Sequence, residues 1–568
     1  MSTEEKISTR WLLLVAGIAS AGFSAGVQAA SPQPDAGQVT RELQQGQRLQ
    51  AAPKELSSPE PLATETEVPS TALMADDTAI AVTRVHVTGA EKFPARVLQA
   101  LVADLAVGTH TLSQLEAGAA RITAYYRKRG YFLANAYIPE QDINNGILNI
   151  AVQEGALDQV KLKNSSRVSD GRILGHLKHL NTGDALQKPA IDRQLLLLRG
   201  TVGVDNVNAS LQGGNKAGTS DLLVETTPSA PYSGRIQLSN HGNRYTGEYQ
   251  LGVTLNVNSP LKLGDQLTMW GVGSSGDLLY GRVAYQVPVG GDGLRIGASY
   301  SRNRYLLGRE FESLDAGGRS ETASLFATYP LMLSQTSALF GVLTYENKKL
   351  NDRMDAVFTD TDKRVQLVSA GLNGERQDTV YGGGRNSFDA VMYAGHLNMD
   401  AASRLIDEGS ARSNGDFVKA TYMLNRLQRV TDQDTFSMTL SGQWAGSNLN
   451  SSEKFSLGGA YGVRAYPQGE ASGDEGNLLN LELVHYFTPK FRGVLFYDYG
   501  NIRINRNDFL TTDNTRTLSG AGAGVNAALF GLQLNSYLAW PVQGGAPLSD
   551  PASSEHAPRL WVQMSGAF

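Results

Sequence analysis

From about residue 232 to the end, apolar and polar residues alternate with a period of two. Tyr249, Leu251, Val253, Leu255 and Val257 alternate with Glu248, Gln250, Gly252, Thr254 and Asn256. Phe436, Met438 and Leu440 alternate with Thr435, Ser437, Thr439 and Ser441. The final stretch sets Leu560, Val562, Met564, Gly566 and Phe568 against Arg559, Trp561, Gln563, Ser565 and Ala567. This is the pattern of strands with one apolar and one polar face. A soluble sandwich alternates too, so the extent of the pattern decides. About sixteen such strands can be read, an even number, as in single-chain transmembrane β-barrels. Roughly 340 residues over that number allow strands of about ten residues plus turns and loops. A barrel of that size encloses a water-filled channel, which would leak unless something filled it.

A different rhythm precedes the barrel. A strand with Val82, Val85 and Val87 leads to a helix near residues 94–105. A longer helix follows from Thr111, with Leu115, Ile122 and Tyr126 on one face and Gly130 as its stop. Strands are expected at 132–138 and 147–152. The order then repeats: a strand at 160–162, helices at 170–180 and 189–198, and strands at 204–211 and 222–225. Two tandem β-α-α-β-β units of this size are binding modules with no catalytic constellation.

The N-terminus reads as an export signal: Lys6 and Arg10, a short apolar run over 11–23, then Val27-Gln28-Ala29, with cleavage expected after Ala29. Glu4 and Glu5 make its n-region less basic than usual. Within 30–52, Asp35 and Gln38 have cap spacing for a helix to about Gln50. Only Val39, Leu43 and Leu49 are apolar among Gln38, Arg41, Glu42, Gln44, Gln45, Gln47 and Arg48. A helix polar nearly all round does not suit a dry core; a wet pore or a disordered segment remain as readings. Pro53, Pro59, Pro61 and Pro69 mark 53–78 as an extended linker, able to span roughly 90 Å at about 3.3 Å per residue.

Composition narrows the chemistry. The net charge of −5 gives no hint of a nucleic-acid partner, and the absence of cysteine removes disulfides and thiolate metal sites. A hydrophobic share of 41% with 61 glycines fits strands apolar on alternate residues, not long apolar helices. No GxxxxGK[ST], HExxH or GxSxG motif occurs. The GAGAGV run at 520–525 falls in an expected strand, so dinucleotide binding is not indicated. Of the scattered histidines, His176 and His179 share a helix face, read as solvated and not as a metal site. Nothing marks a cofactor.

Between two alternating segments lies LGGAYGVRAY (457–466), followed by an acidic, glycine-rich run to 476. Gly458, Gly459 and Gly462 suit a sharply bent backbone, and Val463 and Tyr466 flank its one strong charge, Arg464. Some thirty residues on, Phe496-Tyr497-Asp498-Tyr499-Gly500 puts a carboxylate in an apolar strand. Phe496, Asp498 and Gly500 share a face, and a lipid-facing carboxylate would be costly, so Asp498 is expected in the lumen. Arg464 either meets it there, where a planar guanidinium gives bidentate bonds that Lys could not, or is a solvated loop cation beside an unpaired Asp498.

The VRxY loop and FxDxG strand resemble the paired signature of outer-membrane polypeptide-transporting barrels. The tandem modules resemble POTRA (polypeptide-transport-associated) domains, here 79–154 and 155–228. Tyr126–Tyr131 (YRKRGY), Ala136–Gln141 (AYIPEQ) and Val152–Gly155 (VQEG) resemble the first repeat most closely. The NHGNRYTG turn at 240–247 is similar as well, and Phe568 resembles a barrel-targeting terminal aromatic. Together these are similar to the transporters of two-partner secretion. Ala465 departs from the family's usual Gly and leaves the detailed loop conformation open.

The resemblance implies a transmembrane β-barrel (229–568) with an inward-folding loop at 457–476, preceded by two POTRA domains and a plug helix at 30–52. It implies a lock of Arg464 and Asp498, supported by Gly459, Val463, Tyr466, Phe496 and Gly500. It implies export of a large unfolded partner (adhesin, haemolysin or contact-dependent toxin) captured by periplasmic POTRA domains, without nucleotide hydrolysis. Outer-membrane lipids, periplasmic chaperones and the barrel assembly machinery are its other implied partners. A barrel insertase shares the POTRA repeats and the loop signature; a passive porin or barrel enzyme would have no use for tandem POTRA domains.

Overall fold

Val82, Val85 and Val87, from the short strands Ala79–Val82 and Arg84–Thr88, meet Leu115, Ile122 and Tyr126 of the helix Leu112–Lys128 in one buried cluster. The computed structural model describes residues 34–50, 79–216, 218–509 and 513–568. The expected export signal and linker lie outside the described residues.

The long helix is set by its ends. The Thr111 hydroxyl accepts from Gln114 N–H, and the Gln114 side chain accepts from Thr111 N–H, a reciprocal cap. At the other end Gly130 has φ +92°, Gly130 N–H donates to Arg127 O at 3.0 Å and Tyr131 N–H to Tyr126 O at 3.1 Å. That pairing satisfies the last carbonyls and requires a left-handed residue. The sheet runs Arg84–Thr88, Ile147–Gln153, Asn135–Tyr137, its first pair parallel. The strand expected at 132–138 shrinks to Asn135–Tyr137, because the exit from the helix cap turns through Ala134. The helix expected near 94–105 divides into Ala95–Ala100 and a 3₁₀ turn, Ala103–Leu105. A polar strand, Gly108–Thr111, pairs with Ala79–Val82; its GTHT sequence carries no apolar alternation.

Glu154 ties this unit together: one carboxylate oxygen accepts from Tyr126 O–H at 2.7 Å and from the N–H groups of Glu91 and Lys92 at 2.8 Å. Gln141 bonds both ways with the backbone of Asn149, at 2.8 and 2.9 Å.

The second unit repeats the plan, with Ala156–Asn164 parallel to Thr219–Pro228 and Val204–Gly213 antiparallel on its far side. Its helices are Asp170–Leu177 and Lys188–Arg199. The first stops three residues short of the expected 180. His176 is not on a solvated face: it is buried, with Nδ1 2.7 Å from Gly291 O in a barrel turn, while His179 Nε2 lies 2.8 Å from Asp292. Burial pushes the His176 imidazole below its usual 6.5. Ser169 N–H to Lys262 O (2.9 Å) and Arg193 to Pro330 O (3.0 Å) complete the docking of this unit onto the barrel turns.

Sixteen antiparallel strands, from Tyr232–Ser239 to Arg559–Ala567, close into a barrel. Their lengths run from 8 residues to the 20 of Thr359–Asp378, so several exceed the expected length of about ten. About ten residues span a bilayer, and the long hairpins rise beyond it. The closing pair is short: Gln563↔Ser239 to Ala567↔Arg235. Two devices lengthen it. Phe568 and Gly234 exchange backbone bonds at 2.9 and 3.1 Å, and the Asn240 side chain bonds Val562 N–H at 2.7 Å and Leu560 O at 2.8 Å. A Cβ on Gly234 would come within 2.4 Å of the Phe568 ring.

Candidate functional site: the occupied lumen

Two elements fill the barrel, each joined to the wall by polar side chains and by small apolar patches. The first is the helix Ala36–Gln50. Asp35 Oδ1 accepts from Gln38 N–H at 2.8 Å, capping it. Ala36 N–H donates to Asp352 at 2.7 Å, Thr40 Oγ1 bonds Ser320 at 2.7 Å and Asn303 at 2.8 Å, and Arg41 donates to Gln443 at 3.0 Å. Ala36 and Val39 settle on an apolar patch of the wall that includes Tyr305, Leu350 and Val365. A helix with little apolar surface therefore trades water for wall hydrogen bonds, which keeps the energy difference between bound and free small. Cavities of about 470 and 690 Å³ flank it on opposite faces.

The second element is the segment 446–474, which joins the strands Asp434–Ala445 and Glu475–Thr488 and folds into the lumen. Gly459 (φ +106°) makes its turn, with its N–H on Tyr466 O at 3.0 Å, and Val463 N–H reaches Leu457 O at 2.7 Å. A Cβ on Gly462 would fall 1.9 Å from Leu457 O, and one on Gly500 would fall 2.6 Å from the Leu457 side chain, so both glycines are required by close approach.

This turn presents Arg464, buried, to the wall. Its Nε donates to Asp498 Oδ2 at 2.8 Å, its Nη2 to Asp498 Oδ1 at 2.7 Å and its backbone N–H to Oδ2 at 3.0 Å. Nη1 reaches Glu482 at 2.6 Å, and the guanidinium lies 3.6 Å from the Phe496 ring centroid. Asn480 bridges Asp498 Oδ1 (2.7 Å) and Gly462 O (3.0 Å), and Trp561 Nε1 donates to Arg464 O at 2.7 Å. Val463 and Tyr466 are fully buried, and the Tyr466 hydroxyl reaches Gln543 O (3.0 Å) and Gly545 O (3.1 Å). Phe568 stands apart from this cluster, at the seam.

The alternating pattern gives no sign of the site's opposite end. Glu453, on a 3₁₀ turn of the same segment, receives Lys419 at 2.6 Å and Lys348 at 2.9 Å, all three buried. Gln443 donates to Glu453 O at 2.9 Å while accepting from Arg41 of the helix, so helix, segment and wall meet there. The segment thus crosses the lumen, tied by a carboxylate at one end and a guanidinium at the other. A charge pair leaving water must be fully bonded to persist, and each of these is. The arrangement consists of hydrogen bonds and ion pairs; among the described residues no group of His, Asp and Glu could hold a metal ion.

The family model "Haemolysin secretion/activation protein ShlB/FhaC/HecB" matches residues 218–527, and "POTRA domain, ShlB-type" matches residues 80–155. The chain is 27% identical over 553 residues to the heme/hemopexin transporter protein HuxB of Haemophilus influenzae (strain 86-028NP), covering 94% of this chain and 95% of that one. It is 25% identical over 518 residues to the outer membrane transporter CdiB of Escherichia coli O6:K15:H31, covering 88% and 84%. The solved structure of CdiB from Escherichia coli superposes with a TM-score of 0.74 at 21% identity, covering 95% of this chain and all of that one, which speaks for the fold.

Proposed function

The chain belongs to the haemolysin secretion/activation family ShlB/FhaC/HecB, and from that premise we propose how its described parts carry out secretion. It is an outer-membrane pore of two-partner secretion, with its POTRA domains in the periplasm, and it exports a partner protein. The family match favours this over barrel insertion, the alternative that the POTRA repeats and the loop motif left open.

The unfolded partner is captured by the POTRA sheets, whose outer strands are Arg84–Thr88 and Asn135–Tyr137 in the first and Ala156–Asn164 and Val204–Gly213 in the second. An extended segment added to such an edge gains main-chain bonds without needing one particular sequence. The helix Ala36–Gln50 is the plug; it leaves the lumen, and the segment 446–474 rearranges. The partner, an adhesin, haemolysin or contact-dependent toxin, threads through and folds outside, and that folding supplies direction. No catalytic step and no nucleotide enters this scheme. Arg464 and Asp498 are the lock that sets the segment's resting position, with Gly459, Val463, Tyr466, Phe496 and Gly500 shaping the turn and its seat.

The observation that carries this reading is the wide closed barrel filled by two elements that are not strands of its wall and are held to it mainly by side-chain bonds and apolar packing. The test is secretion of a co-expressed candidate partner polypeptide, compared between the intact chain and one lacking residues 80–155. Loss of surface-exposed partner with the barrel still inserted supports the reading. Undiminished export would overturn it.

A further inference from the structure

The outer face of the barrel carries a cationic arc unrelated to the luminal machinery. Its orientation is fixed by neighbours bonded inside: Asn303 and Ser320 to the helix residue Thr40, Lys348 to Glu453, and Lys363 to Asp35 at 3.5 Å. Because successive strand residues point to opposite faces, Arg302, Arg304, Arg319, Lys349 and Arg364 point outward, and all five are exposed.

The register places them side by side. One level reads Arg302↔Glu321↔Lys349↔Arg364, and the next reads Arg304↔Arg319↔Asn351↔Asp362. Arg304 and Arg319 are direct cross-strand partners, a like-charge pair that destabilises a sheet unless an anion lies between them. Arg304, Arg319, Lys349 and Arg364 have no hydrogen bond or ion pair among the described residues. The acids nearby are largely engaged: Glu321 faces Arg302 at 3.8 Å, Asp355 faces Arg353 at 3.7 Å, and Asp360 and Asp362 take the Asn351 amide at 2.6 and 3.1 Å. A cavity of about 590 Å³ opens here, lined by four arginines, Arg302, Arg304, Arg319 and Arg353, against one carboxylate, Asp277.

Height on the barrel selects the occupant. The turns at the other ends of these strands contact the POTRA side, so the arc lies at the cell-surface end. Two residues below the Arg302–Arg364 level the outward level holds Tyr300, four below it holds Leu325, Tyr345 and Val368, and the next holds Ile296 and Leu343, all of these exposed. Tyrosines mark the level where hydrocarbon gives way to headgroups, so the cations sit at the headgroup level of the outer leaflet. Cations above an apolar belt fit an amphiphile with an anionic head, and paired arginines fit phosphate oxygens.

We propose that this arc is a binding site for a phosphate-bearing lipid of the outer leaflet, its phosphate held by Arg304 and Arg319 and its acyl chains lying along Tyr300, Leu325 and Leu343. The site anchors the barrel wall that also carries Asn303, Ser320 and Lys348, the inner contacts of the plug and the segment.

The test is binding of fluorescent lipopolysaccharide to the purified full-length protein in detergent, with dephosphorylated lipopolysaccharide and inorganic phosphate as competitors. Arg304→Gln/Arg319→Gln is compared with the parent, and heat-modifiable mobility on gels verifies that both barrels are folded; should the double variant fail to fold, Lys349→Gln/Arg364→Gln takes its place. Removing two headgroup-level charges is expected to weaken binding about thirtyfold, with the dephosphorylated lipid a poor competitor. Equal binding by parent and variant overturns the proposal. So does competition by inorganic phosphate at lipid concentrations, which would make the ligand a free anion. So does unchanged lipid affinity with reduced secretion, which would make the arc a protein-docking surface.

Discussion

The methyl of Ala465 occupies the space that a side chain on Gly520 would need: a Cβ built there falls 2.4 Å from Ala465 Cβ. Ala465 is buried and does not take a left-handed backbone. The residue that departs from the usual loop motif is therefore accommodated by a glycine in the facing strand, and the turn around Arg464 keeps its path. Gly520→Val should push the segment off the wall at a cost of about 1–3 kcal/mol, while Ala465→Gly should be tolerated. Limited proteolysis within 446–474 on folded protein would separate them: faster cleavage of the first and parent-like cleavage of the second is expected.

Asp498→Ala should leave the barrel folded and disorder the segment. Truncation strands the buried Arg464 guanidinium with Glu482 alone, a loss of about 3–5 kcal/mol for a broken buried pair. Secretion should fall to background while heat-modifiable mobility is kept. Normal secretion by this variant would remove the lock from the mechanism.

At the opposite end, Glu453→Gln should release two buried lysines from their shared carboxylate. Because Gln443 bonds both Glu453 O and Arg41, the plug should loosen along with the segment. Single-channel recordings in planar bilayers should show more frequent opening than the parent; a closed, quiet pore would mean that the two elements are not coupled here.

Gly37 touches the segment so closely that a Cβ would lie 2.5 Å from Ser452 Cβ. Gly37→Leu should expel the helix without deleting it. Its conductance should match that of a chain lacking residues 30–52, large and steady where the intact protein is expected to flicker. Equal conductance of the deletion and the intact chain would show that the helix is not the seal.

His176 makes the docking of the second POTRA unit sensitive to pH. Burial lowers its folded-state pKa below 6.5, with Arg295 and His179 acting in the same direction, while the Gly291 carbonyl and Asp292 oppose. A depressed value means that the neutral ring's contribution is full above pH 6.5 and is lost as pH falls through the folded value. Hydrogen exchange in residues 170–177 should accelerate on acidification, and His176→Gln should abolish that dependence.

Much of this architecture was legible in the chain because it is local. A pleat of two residues shows itself as alternation, the long helix as an apolar face starting from Thr111 and stopping at Gly130, and a luminal carboxylate as Asp498 in phase with Phe496 and Gly500. The polar strand Gly108–Thr111 was not legible, since it is held by pairing and not by an apolar face. Nor was the burial of His176, whose helix reads as solvated until the 290–293 turn covers it.

The sequence by itself determined the barrel, its parity and the tandem modules, because periodicity is a property of neighbours along one chain. Only the tertiary structure decided that Glu482, Asn480 and Trp561 converge on Arg464, that Glu453 falls between Lys348 and Lys419, and that Gly520 makes room for Ala465. Those meetings depend on how sixteen strands stagger as they close and on the path of one segment across the lumen. Neither leaves a pattern in the residues on either side.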